Sequence, residues 1–140
     1  MADPRGDQLM KTSDMQRVLQ GKVAWQSFCA RYEKEKYKLL SRKDGAITSG
    51  DLGLSFDSAG VVVTAEQIER LCRATLKAEI EINDAQFLSN VIALSGFAFE
   101  NDNTEDAVLL ISSPDSGDLS DIRDAMQILR GSRNLSRDDL

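Results

Sequence analysis

Carboxylates carry most of the chemistry that this chain offers. The 140 residues include 23 Asp or Glu and no histidine. Without histidine, the chain lacks Ser-His-Asp and Cys-His catalysis, the usual acid-base group near neutral pH and the commonest zinc ligand. A dense acidic group such as the one at 100–124 either binds a cation or attracts a positively charged partner. In that segment Arg123 is the only basic residue, and there are eight acidic ones: Glu100, Asp102, Glu105, Asp106, Asp115, Asp118, Asp121 and Asp124.

The acidic segment does not have the spacing of a calcium loop. A loop starting at Asp102 would place Ala107 where a glycine is required and Ser113 where a bidentate glutamate belongs. The chain also contains neither a phosphate-binding loop nor a G-x-S-x-G nucleophile motif. We therefore predict no catalytic residue, no metal site and no cofactor, so that a carboxylate-based, metal-dependent enzyme is only an alternative.

Charge is divided unevenly along the chain. Residues 1–43 hold ten Lys or Arg against five Asp or Glu, whereas residues 44–140 hold seven against eighteen. Glu33 and Glu35 interrupt the basic cluster, and Trp25 and Tyr32 fall on an apolar helical stripe where they could not stack on bases. The sequence pI of about 4.7 also disfavours phosphate. These features argue against direct nucleic-acid binding.

The length and composition predict one domain over residues 1–140, with flexible polar tails at 1–7 and 131–140. No stretch approaches the roughly 20 apolar residues of a membrane helix, and no secretory signal is recognisable. We therefore expect a cytoplasmic protein without a membrane segment. Cys29 and Cys72 lie on apolar helix faces, where we expect reduced, buried thiols.

Apolar periodicity predicts a mainly α fold, a single-domain bundle of five or six helices. A helix over 7–19 and a longer one over about 21–42 are separated by a break at Gly21. The capping box Thr64-Ala65-Glu66-Gln67 starts the next helix, and a similar signal at Asn83 starts another.

The C-terminal third contains two further elements. Residues 104–112 fit a helix or a strand, and Thr104 as a possible N-cap favours the helix. A last helix with a cap at Asp118 or Ser120 is predicted to end near Gly131.

Between the second and third helices the period changes to two. Leu52, Leu54 and Phe56 alternate with small residues, and a turn over 57–60 leads into 61–63. This pattern predicts a small β-hairpin inserted around residues 46–63. The predicted core of the domain contains Trp25, Phe28, Tyr32, Phe56, Leu71, Leu76, Phe87, Val91, Ile92, Ile122 and Met126.

Several local patterns resemble small, acidic, helical bacterial proteins of the immunity or inhibitor kind. These patterns are Gly60-Val61-Val62-Val63-Thr64, Leu76-Lys77-Ala78-Glu79-Ile80, Phe97-Ala98-Phe99-Glu100, Ser113-Pro114-Asp115 and Gly117-Asp118-Leu119-Ser120. The resemblance covers about half the chain and implies binding to one cognate toxin through a charged face. It transfers no binding residue.

Together these features predict a non-catalytic module that neutralises a basic protein, such as a toxin or an enzyme, through an acidic face. One alternative is a homo-oligomer in which the basic N-terminal helices dock on the acidic face of a second copy. Another is that the carboxylates are merely solvated surface. The residues predicted to bind the partner are Glu100, Asp102, Glu105, Asp106, Asp115, Asp118 and Asp121.

Overall fold

The computed structural model describes residues 10–41, 53–112 and 119–138. In these residues the chain is mainly helical, as predicted, and adds four two-residue strands. The helices are α1 (Thr12–Leu19), α2 (Trp25–Arg31), α3 (Glu33–Leu40), α4 (Ala65–Leu76), α5 (Ile82–Leu94), α6 (Asp102–Ser112) and α7 (Leu119–Asp138). The strands are β1 (Met10–Lys11), β2 (Leu54–Ser55), β3 (Val62–Val63) and β4 (Ala98–Phe99).

The helix predicted over 21–42 is two helices, which brings the number in the described residues to seven. Tyr32 separates α2 from α3 because its backbone (φ −111°, ψ 40°) leaves the helical region. Its ring packs against Phe28, and its hydroxyl donates a hydrogen bond to Asp14. A buried tertiary contact thus overrides the helical period here. The predicted break at Gly21 is confirmed, with φ +80° at that glycine.

The predicted β-hairpin around 46–63 is wrong in its pairing. Strands are present at 54–55 and 62–63, but β2 pairs with β1 and β3 with β4, both in parallel. The alternation ends with β2, so Phe56 is 58% exposed instead of lying in the core. Positions 46–52 lie outside the described residues.

Capping side chains mark the starts of three helices, α4, α5 and α6. Thr64 and Gln67 form the predicted capping box of α4. The box of α5 uses Glu81 and Asp84, which begins this helix before the predicted Asn83. Residues 104–112 are helical and belong to α6. Asn101 caps the start of this helix, because its side-chain oxygen accepts a hydrogen bond from the Thr104 amide (2.8 Å). The last helix does not end at Gly131 but continues to Asp138.

Helix α5 is the centre of the domain. It packs against α2 and α3 and also against α6, while α7 packs on α4 and α6. The predicted core is otherwise confirmed, except that Leu76 is only partly buried. The structure therefore places α3 and α6 as separate layers on α5, and each layer exposes one outer face.

Each parallel strand pair ends beside a helix start. β1 leads directly into α1, and Asp57, just after β2, accepts hydrogen bonds from the amide and hydroxyl of Ser13 (2.9 and 2.7 Å). β3 leads into α4, and Glu100, just after β4, accepts one from the Ala65 amide (2.7 Å). Because parallel strands end at the same edge, a residue distant in sequence reaches the free amides of the helix.

Candidate partner-binding face

The outer face of α6 carries the central part of the predicted acidic site. Asp102, Glu105 and Asp106 are exposed at helical spacing, and the same stripe continues into the exposed Leu109. The opposite side of α6 buries Ala107, Val108 and Ile111 against the core. The helical period thus directs the three carboxylates towards solvent.

Two further carboxylates join this stripe from other elements. Glu100 is exposed and lies at the end of β4, and its bond to the Ala65 amide brings it to the first turn of α4, where Glu66 is also exposed. Sequence reasoning missed Glu66 because it is far from the acidic segment along the chain. We call Glu66, Glu100, Asp102, Glu105 and Asp106 the acidic face.

Among the remaining predicted site residues, Asp121 is described and is not part of this group. The Asn103 side chain, near the start of α6, donates a hydrogen bond to the Ile128 carbonyl in the middle of α7 (3.0 Å). Because only six residues join the end of α6 to the start of α7, the two helices run antiparallel. Asp121 is half-buried. It lies about 10 Å along α7 from Ile128, in the direction of the C-terminal end of α6 and away from Asp102. Asp115 and Asp118 lie outside the described residues.

Among the described residues, the acidic face has no ion-pair partner, and the guanidinium of Arg70, four residues after Glu66, bonds to the Val18 and Leu19 carbonyls instead. Within 10–41, 53–112 and 119–131, no Lys or Arg side chain forms an ion pair with any of its five carboxylates. Glu100 is compensated in part by the amide that it caps, and the acids in the first turns of α4 and α6 interact favourably with the helix dipoles. A net negative surface remains at these two helix starts.

A second charged surface lies on α2 and α3. Arg31, Lys34 and Lys38 are exposed on these helices together with Tyr37, which is 74% exposed; Glu33 is exposed beside them, and Arg31 also pairs with Asp14 (3.5 Å). We call Arg31, Lys34, Tyr37 and Lys38 the basic face. α3 and α6 each pack on α5, and neither packs extensively on the other.

Two buried carboxylates, Asp14 and Glu69, pair with arginines. Asp14 accepts a hydrogen bond from the Tyr32 hydroxyl (2.7 Å) and lies 3.4 and 3.5 Å from the guanidinium groups of Arg17 and Arg31. Burial and the bond to Asp14 raise the pKa of Tyr32 above its ordinary value. Glu69 pairs with Arg73 (2.9 Å) and Arg130 (3.4 Å), which joins α4 to α7.

The cysteines have no nucleophilic character at neutral pH. Burial, reinforced by the charge of Asp84, raises the pKa of Cys29 to about 12 although the nearby Lys36 opposes this effect. Burial likewise raises the pKa of Cys72 to about 12. Both are free, buried thiols. Because the thiolate is the reactive form, these residues pack as small apolar side chains.

The buried Asp84, in the first turn of α5, pairs with a lysine. It forms an ion pair with Lys36, which ties α3 to α5. Burial alone would lower the pKa of Lys36, but the hydrogen bond and charge of Asp84 outweigh it and raise this pKa.

The described residues hold neither a metal cluster nor a membrane-spanning helix. No three or more Cys, Asp or Glu side chains of the described segments are grouped to hold a metal ion. None of the helices in these segments has the length and apolar character needed to cross a bilayer. The chain matches no protein-family model, no curated protein and no solved structure. A functional proposal therefore depends on the surfaces described above.

Proposed function

We propose that this chain is a non-catalytic protein-binding module of the bacterial immunity or inhibitor kind, which neutralises a basic protein partner through its acidic face. The observation that carries the proposal is the exposure of five carboxylates on α4, α6 and the end of β4 without an ion pair from the described residues. Like charges that are gathered and left uncompensated oppose folding slightly, but they accelerate encounter with a basic surface.

The proposal places the protein in a reducing compartment such as the cytoplasm. Cys29 and Cys72 are buried and unpaired, and their raised pKa values keep the thiols protonated. A basic toxin or enzyme in that compartment would be the partner.

Capture from a cell extract tests this function. The variant Glu105→Lys/Asp106→Lys reverses the middle of the acidic face, and Glu33→Lys/Glu79→Lys makes the same change in net charge at two exposed acids elsewhere. We expect the wild-type chain and the control to retain one basic protein, identified by mass spectrometry, and the acidic-face variant to retain at least about tenfold less. Equal retention by both variants would refute the assignment.

A second candidate function is a homo-oligomer formed head to tail. The packing of α3 and α6 on α5 rather than extensively on each other favours it, since the basic and acidic faces on these helices are then better placed to pair between copies than within one copy. Sedimentation at low and high salt tests this candidate. We expect self-association that disappears at high salt. Each of the variants Lys34→Glu/Lys38→Glu and Glu105→Lys/Asp106→Lys should fail to associate alone, and mixing the two should restore association. A monomer at all salt concentrations would contradict this candidate.

A further inference from the structure

The pairing of β3 with β4 leaves one main-chain edge of β3 unpaired. The Ala98 amide donates to the Val61 carbonyl (3.1 Å), and the Glu100 amide donates to the Val63 carbonyl (2.8 Å). In a parallel ladder, alternate residues of a strand bond to the same neighbour. Val61 and Val63 therefore face β4, and the N–H and C=O of Val62 point to the other edge.

No backbone group of the described residues pairs with this edge. Val62 is 49% exposed, whereas Val61 and Val63 are buried. The sheet has only two strands, and among the described residues no backbone group outside β4 pairs with β3. Ala98, opposite Val62 in the register, is also exposed and extends the apolar surface. An extended chain is the kind of ligand that such an edge accepts.

Two carboxylates lie at the end of the sheet towards which β3 runs. β3 runs through Thr64 into the first turn of α4, where Glu66 is exposed and Glu100 caps the Ala65 amide. An added strand would thus place an apolar side chain near Val62 and meet carboxylates at the end of the sheet. We propose that the outer edge of β3 binds an extended basic segment of the protein partner as a third strand. This inference rests on the proposed function and names the part of the partner that is recognised.

A defined peptide tests the inference without knowledge of the partner. The probe is an end-capped seven-residue peptide of alternating Lys and Val, compared with the same sequence N-methylated at every second residue on the edge that would face β3. We expect the first peptide to bind the full chain and to slow hydrogen exchange at the Val62 amide. N-methylation should weaken binding about tenfold or more, because the peptide can no longer donate a main-chain hydrogen bond to Val62.

Variants of the protein provide the reciprocal measurement. Val62→Pro removes the N–H of the edge and should lower affinity to a similar degree, whereas the control Val62→Thr keeps the N–H and should bind like the wild-type chain. If Val62→Pro unfolds the chain, the comparison of the two peptides on the wild-type protein still decides the question.

The outcomes separate this inference from the function on which it rests. Equal binding of both peptides, with binding lost in Glu105→Lys/Asp106→Lys, would overturn the strand edge and leave the acidic face standing. No binding of either peptide would also overturn the inference, and the capture experiment would then judge the function alone. Exchange protection at Val62 in the protein without peptide, increasing with concentration, would show that a second copy occupies the edge and would overturn it as well.

Discussion

The hydrogen bond from Tyr32 to Asp14 makes a strong prediction, because it links the break between α2 and α3 to the buried end of α1. Tyr32→Phe keeps the ring that packs 4.9 Å from Phe28 and removes only the hydroxyl. Hydrogen bonds to charged groups contribute about 1.5–3 kcal/mol. Arg17 and Arg31 remain at 3.4 and 3.5 Å from Asp14, but their side chains are more than half exposed and compensate only in part.

We therefore expect Tyr32→Phe to lower the free energy of unfolding by about 2 kcal/mol. With a urea m-value of about 2 kcal/mol/M, the midpoint of unfolding should fall by about 1 M. Tyr37→Phe is the matched control, since the Tyr37 side chain is 74% exposed and its change should stay within about 0.5 kcal/mol. A Tyr32→Phe midpoint equal to that of the wild-type chain would refute the structural role of this bond.

The pH dependence of the same pair gives a second test. Because the pKa of Tyr32 is raised in the folded state, its stabilising contribution is complete below about pH 10 and is lost as the pH rises further. The difference between the wild-type chain and Tyr32→Phe should therefore shrink above pH 10. Cys29 and Cys72, also with raised pKa values, destabilise both proteins alike at high pH and cancel in the difference. A constant difference up to pH 11 would contradict this assignment.

Three other substitutions test details of the fold by urea unfolding. Ser89 is fully buried, and its hydroxyl has no hydrogen-bond partner among the described residues, so Ser89→Ala should be neutral or stabilising. Ser95→Ala loses a bond to the Val91 carbonyl and should cost about 1 kcal/mol; the reverse order would contradict the structure. Asp57→Ala should cost about 1 kcal/mol near neutral pH. Because hydrogen bonds from Ser13 lower the pKa of Asp57, this cost should decrease as the pH falls below about 4, and a cost as large there as at neutral pH would contradict the charged cap. Ala78 has φ +62° after α4, so Ala78→Gly should stabilise by about 0.5–1 kcal/mol, and a loss of stability would be inconsistent with this backbone geometry.

Much of the helical framework follows from local sequence. The Thr64 capping box and the apolar period after it predict the start and the buried face of α4. Residues such as Phe87 and Ile122 are buried as their helical positions require. These predictions succeed because helices and their caps depend on residues within one or two turns.

The strand pairing could not be predicted in the same way. Strands of two residues carry no period, and their partners are more than 30 residues away, at 10–11 with 54–55 and 62–63 with 98–99. The alternation around Leu54 therefore favoured a local hairpin and an inward Phe56, although parallel pairing ends the strand at Ser55. The interruption at Tyr32 was also hidden, since it depends on a contact with Asp14.

The acidic face was predicted only in part, because some of its residues are neighbours on one helix and others are brought together by strand pairing. Asp102, Glu105 and Asp106 are neighbours on one helix, so their spacing alone places them together. Glu66 joins them only through the pairing of β3 with β4 and the bond from the Ala65 amide to Glu100. Glu100 therefore has a structural function as a helix cap as well as its place in the acidic face.

The most direct test of the central claim is the rate of association with the captured basic protein, measured by stopped-flow mixing between 20 and 500 mM salt. Over this range the Debye length falls from about 20 Å to about 4 Å. For the wild-type chain and Glu33→Lys/Glu79→Lys, we expect the rate to fall steeply as salt increases. For Glu105→Lys/Asp106→Lys, we expect it to be about tenfold or more lower at low salt and nearly independent of salt. Identical rates and salt dependences for the two variants would contradict the claim that the acidic face captures the partner.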